Sequence, residues 1–232
     1  MDVAAQLDSA WQKEFERMMQ GDYFRRLASD RLEIRYYMGF LRETFFNAAC
    51  NPKNMALFIA HLDSDRPDLE AKFLKHTAME IGHDALALED YGKLGGDPEA
   101  VRRSLPLPTT EAMAAFITFQ IQHRNPLSYL GYLYHLEALP VHFGPEVIES
   151  LLRIGVPLEA TTFLREHAEA DPVHLKWNRE YLEGFIRNEK DLEAVLYGLR
   201  GTCRLHAGMF QGILEDAEDW RPAAAPKAVA RL

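Results

Sequence analysis

One short template is written twice along this chain, and it limits the fold more than any other feature. The segments HTAMEIGH, from His76 to His83, and HAEADPVH, from His167 to His174, both read as a histidine, an acid four residues on, and a second histidine seven residues on. On a helix, positions i, i+4 and i+7 share one face, so each segment can aim a carboxylate and two imidazoles at one point. Nine histidines and 35 acids scattered over 232 positions would give about 0.05 such triplets by chance. Two copies therefore predict two helices that turn their polar faces toward each other inside a bundle.

The rest of the chain is helical in pattern. Apolar residues recur with the 3.6 period, and alternating β-branched runs are scarce, so the class is all-α. A first helix is expected from Asp8 or Ser9, and a second from Ser29 or Asp30 to just before Asn51, with Pro52 opening a third. One long helix should run from Pro67 to Leu94, closed by Gly95-Gly96 in a left-handed cap. DPEAVRRSLPLP reads as a connector; Thr109 and Thr110 then cap the next helix, and Asn125-Pro126 leads into LSYLGYLYHLEAL. A break at Gly144-Pro145 precedes a short helix PEVIESLL, and two long helices occupy roughly 159–188 and 191–217. Residues 1–218 read as a single helical domain, with 219–232 a mobile Ala/Pro-rich tail.

Composition excludes several classes. With 47% hydrophobic and 26% charged residues the chain is an ordinary globular one. A net charge of -9 without any basic run argues against nucleic acid. No apolar run has the length a membrane span needs, and the first residues lack a basic, then apolar leader, so a cytoplasmic location without membrane association is expected. Two cysteines, Cys50 and Cys203, without a CxxC motif leave any metal to histidine and carboxylate. A homodimer is left open.

Mixed imidazole and carboxylate sets suit iron and manganese, and a shared carboxylate can join two ions. A bundle site needs carboxylate from a further helix. Glu137 supplies it: Leu130, Leu133 and Tyr134 share its helix face, where a lone carboxylate needs a partner. The metal set is thus Glu80, His83, Glu137, His167, Asp171 and His174. His76 reads as a donor behind these ligands or as a packed core histidine. His142 reads as a capping or surface residue beside the expected break, and His61, His123 and His206 have no acid at ligand spacing. Pro172 should kink or bulge its helix between Asp171 and His174.

The segments EIGHDALALEDYGKLGGDP, YLYHLEAL and HAEADPVH, in the order E-x2-H, E, H-x3-D-x2-H, resemble the haem-oxygenase-like diiron oxidases. These are also labelled iron-containing redox enzymes and are distant relatives of thiaminase II and pyrroloquinoline quinone synthase. The resemblance spans roughly residues 20–215. It implies a haem-oxygenase-like bundle of seven to eight helices and two Fe(II) ions, with Mn admissible at one position. It also implies dioxygen activation and oxidation of a small metabolite, amino-acid-like or fatty-acid-like; the E-x2-H spacing is that of the bacterial fatty-acid decarboxylases that make terminal alkenes. Glu80, His83 and His167 are assigned to one ion and Asp171 and His174 to the other, with Glu137 bridging or completing the second.

Tyr36, Tyr37, Tyr132 and Tyr134 are candidates to line the cavity or pass a proton or electron, against a plain core role with the hydroxyl at the rim. Arg35 or Arg165 could pair a substrate carboxylate, against a solvated surface role. The competing classes are a cofactor-independent enzyme like thiaminase II or pyrroloquinoline quinone synthase, the former needing a reactive cysteine in its pocket, and a non-catalytic helical metal-binding protein. A haem oxygenase would need a histidine near the N-terminus, and the first is His61. A ferritin-like protein would want glutamate in both acid-x2-His motifs, where this chain has Asp171.

Overall fold

The computed structural model describes residues 2–216, all of whose regular structure is helical. The helices are α1 (Val3–Met19), α2 (Asp22–Ala28), α3 (Ile34–His61), α4 (Pro67–Met79), α5 (His83–Lys93), α6 (Pro98–Arg102), α7 (Pro108–His123), α8 (Ser128–Arg153), α9 (Thr162–Phe185) and α10 (Glu189–Asp216). A 3₁₀ turn over Leu158–Ala160 joins α8 to α9. Since α2 and α6 are short and α4–α5 is one interrupted rod, seven long rods carry the fold, which is the expected all-helical bundle. The expected tail lies outside the described residues.

α8 is the central rod, packed on α9 and α10, while α3 rests on α5 and α7. Two apolar clusters fill the interior. One gathers Met55, Phe58, Leu133, Leu182 and Leu199; the other gathers Tyr37, Leu41, Leu151, Leu164 and Met209. Along α3, α8, α9 and α10 the clusters occupy opposite ends of each rod. Between them lies a belt of buried polar side chains: Asn51, Glu80, Glu137, Asp171, His174 and His206.

Proline departs from expectation in two of the long rods. α9 crosses Pro172 as the one long helix expected there. α3 passes through Pro52, and α8 passes through both Pro140 and Pro145, so the expected breaks at Asn51-Pro52 and Gly144-Pro145 are absent. An interior proline costs a helix about 3 kcal/mol. Here both flanks of each proline are pinned: Leu41 and Phe58 around Pro52, and Leu133 and Leu151 around the α8 prolines, are all at most 1% exposed. Burial outweighs the local penalty.

Glycine does the opposite. Gly82, at φ +99°, breaks the expected single helix from Pro67 to Leu94 into α4 and α5. Gly95, at φ +86°, closes α5 as expected. Two starts also differ: α1 begins at Val3 because the Asp2 carboxylate accepts from Ala5 N at 3.0 Å, and α7 begins at Pro108, ahead of the threonines expected to cap it. Across the bundle, the Asp90 carboxylate accepts from Phe163 N at 2.8 Å and from Lys93 Nζ at 3.0 Å, fixing α5 against the start of α9.

α8 and α10 touch backbone to backbone. A Cβ at Gly131 would stand 2.0 Å from Val195 O, and one at Gly198 would stand 2.0 Å from Ser128 O. Gly131→Ala and Gly198→Ala should each cost about 2 kcal/mol or more in urea unfolding. Gly144→Ala, whose Cβ would meet nothing nearer than 3.5 Å, should be neutral or stabilising. Equal effects at all three positions would refute the close crossing.

Candidate metal centre

The break at Gly82 places Glu80 at a corner. It is the residue that ends α4, and His83 is the first of α5. From that corner Glu80 belongs to two donor groups. His76, Glu80, Glu137 and His174 offer ligand atoms all within 4.8 Å of one another, and so do Glu80, His83 and His167. The structure thus brings together five of the six residues expected as ligands and adds His76. Asp171 is outside both groups, with Oδ1 3.5 Å from His174 Nδ1.

Glu80, expected on one ion only, is common to the two groups, and Glu137, expected to bridge or to complete the ion of His174, stands in the group with His174 alone. His76, read from sequence as a residue behind the ligands, is fully buried with Nε2 3.2 Å from Glu137 Oε1 and 3.7 Å from Glu80 Oε1. Its place in the first template was the signal for it.

The donors fit an ion better than they fit each other. His174 Nδ1 stands 3.5 Å from Glu80 Oε1 and 3.4 Å from Glu137 Oε2, and His83 Nδ1 stands 3.4 Å from Glu80 Oε2. Yet both ring nitrogens of His76 and His174, and His83 Nδ1, are buried without hydrogen-bond geometry to any partner. Such orphaned buried polar atoms are rare and costly. Two ligands each about 2.1 Å from one ion and about 90–110° apart stand roughly 3.0–3.4 Å from each other, close to the spacings found. His167 is prepared in the same sense: its Nδ1 donates to Phe163 O at 2.7 Å, which leaves the Nε2 lone pair for a ligand role.

Charge follows the same logic. Burial works to raise Glu137, but the His174 and His76 imidazoles outweigh it and bring its pKa down to about 2. Burial raises Asp171 to about 9. Burial opposes protonation of His174, but Asp171 and Glu137 overcome it and lift its pKa to about 10. For Glu80, burial is likewise outweighed by His83, whose own pKa Glu80 raises. Glu80 and Glu137, held ionised, thus draw positive charge into the site, while burial keeps the proton on Asp171.

A chain of hydrogen bonds that the sequence reading missed orients Glu80. Tyr129 Oη donates to Asn51 Oδ1 at 2.7 Å, and Asn51 Nδ2 reaches Glu80 Oε2 at 3.5 Å. An asparagine ahead of Pro52 read only as a helix boundary.

The tyrosines divide. Tyr37 lines the cavity, its hydroxyl donating to Ala160 O at 2.9 Å. Tyr36 and Tyr134 do not line it, contrary to expectation: the Tyr36 hydroxyl accepts from Arg35 at 3.1 Å, and Tyr134 donates to Asp8 on α1. The period placed them on α3 and α8 but could not say which neighbour each faces. Tyr132 donates to Asn47 Oδ1 at 3.0 Å.

The cavity has a volume of about 130 Å³ and reaches from Glu80, Glu137, His167 and Asp171 to Tyr23, Phe24 and Leu27 of α2. Its wall is otherwise mostly aromatic and aliphatic, with Phe40, Leu133, Phe143 and Phe210 prominent and Thr44, Asn47 and Asn51 of α3 the neutral polar side chains beside His206. No lysine or arginine lines it among the described residues; Arg35 pairs with Glu33, and Arg165 is exposed. Neither cysteine lines it. His206, which had no acid at ligand spacing, does line it and bonds to His135 through Nδ1 at 2.9 Å. His142, read from sequence as a capping or surface residue, lies exposed within unbroken α8, its ring 5.1 Å from that of Trp11.

A family profile described as iron-containing redox enzyme matches residues 38–226. The chain belongs to that family. The curated proteins contain no match to it. Its fold is that of a domain of unknown function with a heme oxygenase-like fold from Shewanella denitrificans, at TM-score 0.81 and 22% identity over 97% of this chain and 94% of that one. A TenA homologue from Pseudomonas syringae follows the same path, with TM-score 0.77 and 10% identity over 92% and 93% of the two chains. So does a CADD-like protein of unknown function from Nostoc punctiforme, at TM-score 0.67 and 11% identity over 94% and 95%. Members of the iron-containing redox enzyme family need an iron site, and the buried His/Glu cluster can hold one. No described helix is long and apolar enough to cross a membrane.

Two measurements test this centre. Anaerobic titration with Co(II), read by its visible bands, should show at least tenfold weaker uptake in His76→Ala and His174→Ala than in wild type, while His142→Ala should be unchanged. The second concerns the neighbouring pair. Burial holds His206 at about 4 against the usual 6.5, so between these values the unfolded chain binds more protons. Stability should therefore fall as pH drops from 6.5 to 4, by up to about 3 kcal/mol from this group, and His206→Phe should flatten that part of the denaturation profile.

Proposed function

We propose that this chain is a non-haem iron oxidoreductase that uses dioxygen to oxidise a small apolar metabolite. The reading rests on one observation above all. Two donor groups that share Glu80 meet at the acidic end of a largely apolar cavity, and both ring nitrogens of His76 and His174, with His83 Nδ1, have no protein partner. His83 and His167 with Glu80 suit one ion, and His76, Glu137 and His174 with Glu80 suit a second; Asp171, beside His174, can complete the latter. Two ferrous ions held there would supply the electrons that dioxygen needs to react with a C–H or C–C bond.

The remaining work falls to the chain. Glu80 joins the two donor groups, and Asn51 with Tyr129 holds its carboxylate in orientation. The Phe163 carbonyl fixes the His167 ring. The aromatic wall excludes water, which protects a reactive centre from side reactions. Tyr37 and Tyr132 have their hydroxyl protons committed to Ala160 O and Asn47 Oδ1, so neither is a free proton donor, and only Tyr37 forms part of the wall.

The same wall argues for a fatty-acid-like substrate over an amino-acid-like one. A hydrocarbon chain can fill the apolar length of the cavity with its one carboxylate at the metal end, whereas a small doubly charged amino acid would leave that surface uncovered. A thiaminase-like reaction needs a pocket cysteine; Cys203 instead lies buried 3.3 Å from His135 Nδ1, its thiol pushed up by burial.

Anaerobic loading with Fe(II) followed by oxygen exposure should give a transient visible band with about two irons per chain. His167→Ala should lose the band and at least half the iron. Identical traces and iron content for the two proteins would end this reading.

A further inference from the structure

Outside the acidic cluster, α1, α8 and α10 hold a second polar chain that the iron chemistry does not use. Trp11 Nε1 donates to His135 Nδ1 at 3.2 Å, and Cys203 Sγ lies 3.3 Å from the same nitrogen. His135 Nε2 meets His206 Nδ1 at 2.9 Å. All four side chains are buried, with His206 at 6% exposure and His135 at 0%.

An indole N–H can only donate, and that fixes the protons along the whole chain. His135 must accept at Nδ1, so its neutral ring carries hydrogen on Nε2. That N–H donates to His206 Nδ1, so the neutral His206 ring in turn carries its hydrogen on Nε2. Burial keeps His206 neutral, with a pKa near 4.

His206 Nε2 has no hydrogen-bond partner among the described residues, and the ring lines the cavity, backed by Phe210 at 4.8 Å. An N–H held in one direction in a largely apolar wall gains by meeting an acceptor. The geometry points to His206 Nε2–H as a specificity-determining donor that recognises an uncharged oxygen acceptor, such as a ketone or hydroxyl, on an otherwise apolar substrate. An anion does not fit at this point of the wall, because no cation lines it to offset the lost hydration. The inference rests on the proposed reading of the cavity as the substrate site, but it does not require iron.

The test compares 2-octanone with 2-methyloct-1-ene, its hydrocarbon isostere, as probes of the full-length protein by calorimetry under argon. His206→Phe should weaken the ketone about tenfold and leave the alkene within about twofold, whereas His206→Gln, which keeps a donor, should retain most of the ketone affinity. Equal effects on both probes, an unchanged ketone affinity, or no saturable ketone binding by wild type would each overturn the inference. Independently of any ligand, long-range ¹⁵N–¹H spectra of histidine-labelled, metal-free protein should show both His135 and His206 protonated on Nε2. A hydrogen on His206 Nδ1 would overturn it as well. Iron content and the oxygen reaction are read separately, so failure of the metal reading is distinguishable from failure here.

Discussion

Carboxylates do not enter a protein interior unless something positive meets them, and this bundle buries three of them in one layer. Glu80, Glu137 and Asp171 are each at most 8% exposed. The idealised cost of stripping water from even one such charge exceeds the net stability of most domains, so the layer must be compensated. Four histidines surround the acids, and without an ion His83 and His174, whose pKa values the neighbouring carboxylates raise, supply that charge by holding protons. An ion does the same with better geometry, because it satisfies at once the imidazole nitrogens that face no protein partner. Metal uptake at that layer would be coupled to folding.

The two apolar clusters follow from it. If the polar belt occupies the middle of α3, α8, α9 and α10, hydrophobic residues can gather only at the two ends of those rods. The first cluster is closed by α1, α4 and α7 and is densely filled with aromatic pairs. The second surrounds the cavity, where α2 and the aromatic side chains of α10 form the far wall. A ligand in that cavity has the acidic cluster at one limit and mostly apolar surface elsewhere, with Thr44, Asn47, Asn51 and His206 as the neutral polar side chains. Charge and hydrophobicity are thus sorted along one direction of the cavity.

Prolines and glycines within the rods show how tertiary packing arbitrates local preference. Pro52, Pro140, Pro145 and Pro172 all sit inside helices that continue past them. Ala48 and Leu136, four residues before two of these prolines and so without an amide donor from them, both line the cavity. Gly131 and Gly198 let α8 and α10 approach until backbone meets backbone. Gly82 instead interrupts a rod, and in doing so moves Glu80 to a corner from which it reaches both donor groups.

The sequence alone determined the helical class and the residues with the chemistry to hold metal, because both are local facts: a 3.6-residue period, and acids and histidines repeated at the spacing of one helix face. It also determined that Glu137, alone on an apolar stripe, would be drawn toward them. What it could not determine depends on distance between segments far apart in the chain. Whether a proline ends a helix is settled by the packing on either side, and whether Tyr36 or Tyr37 faces a cavity is settled by which rod lies opposite. Only the tertiary structure made Glu80 the shared carboxylate, drew His76 into the centre, and set Trp11, His135 and His206 in line, since each of those relations joins different helices and leaves no trace in a local pattern.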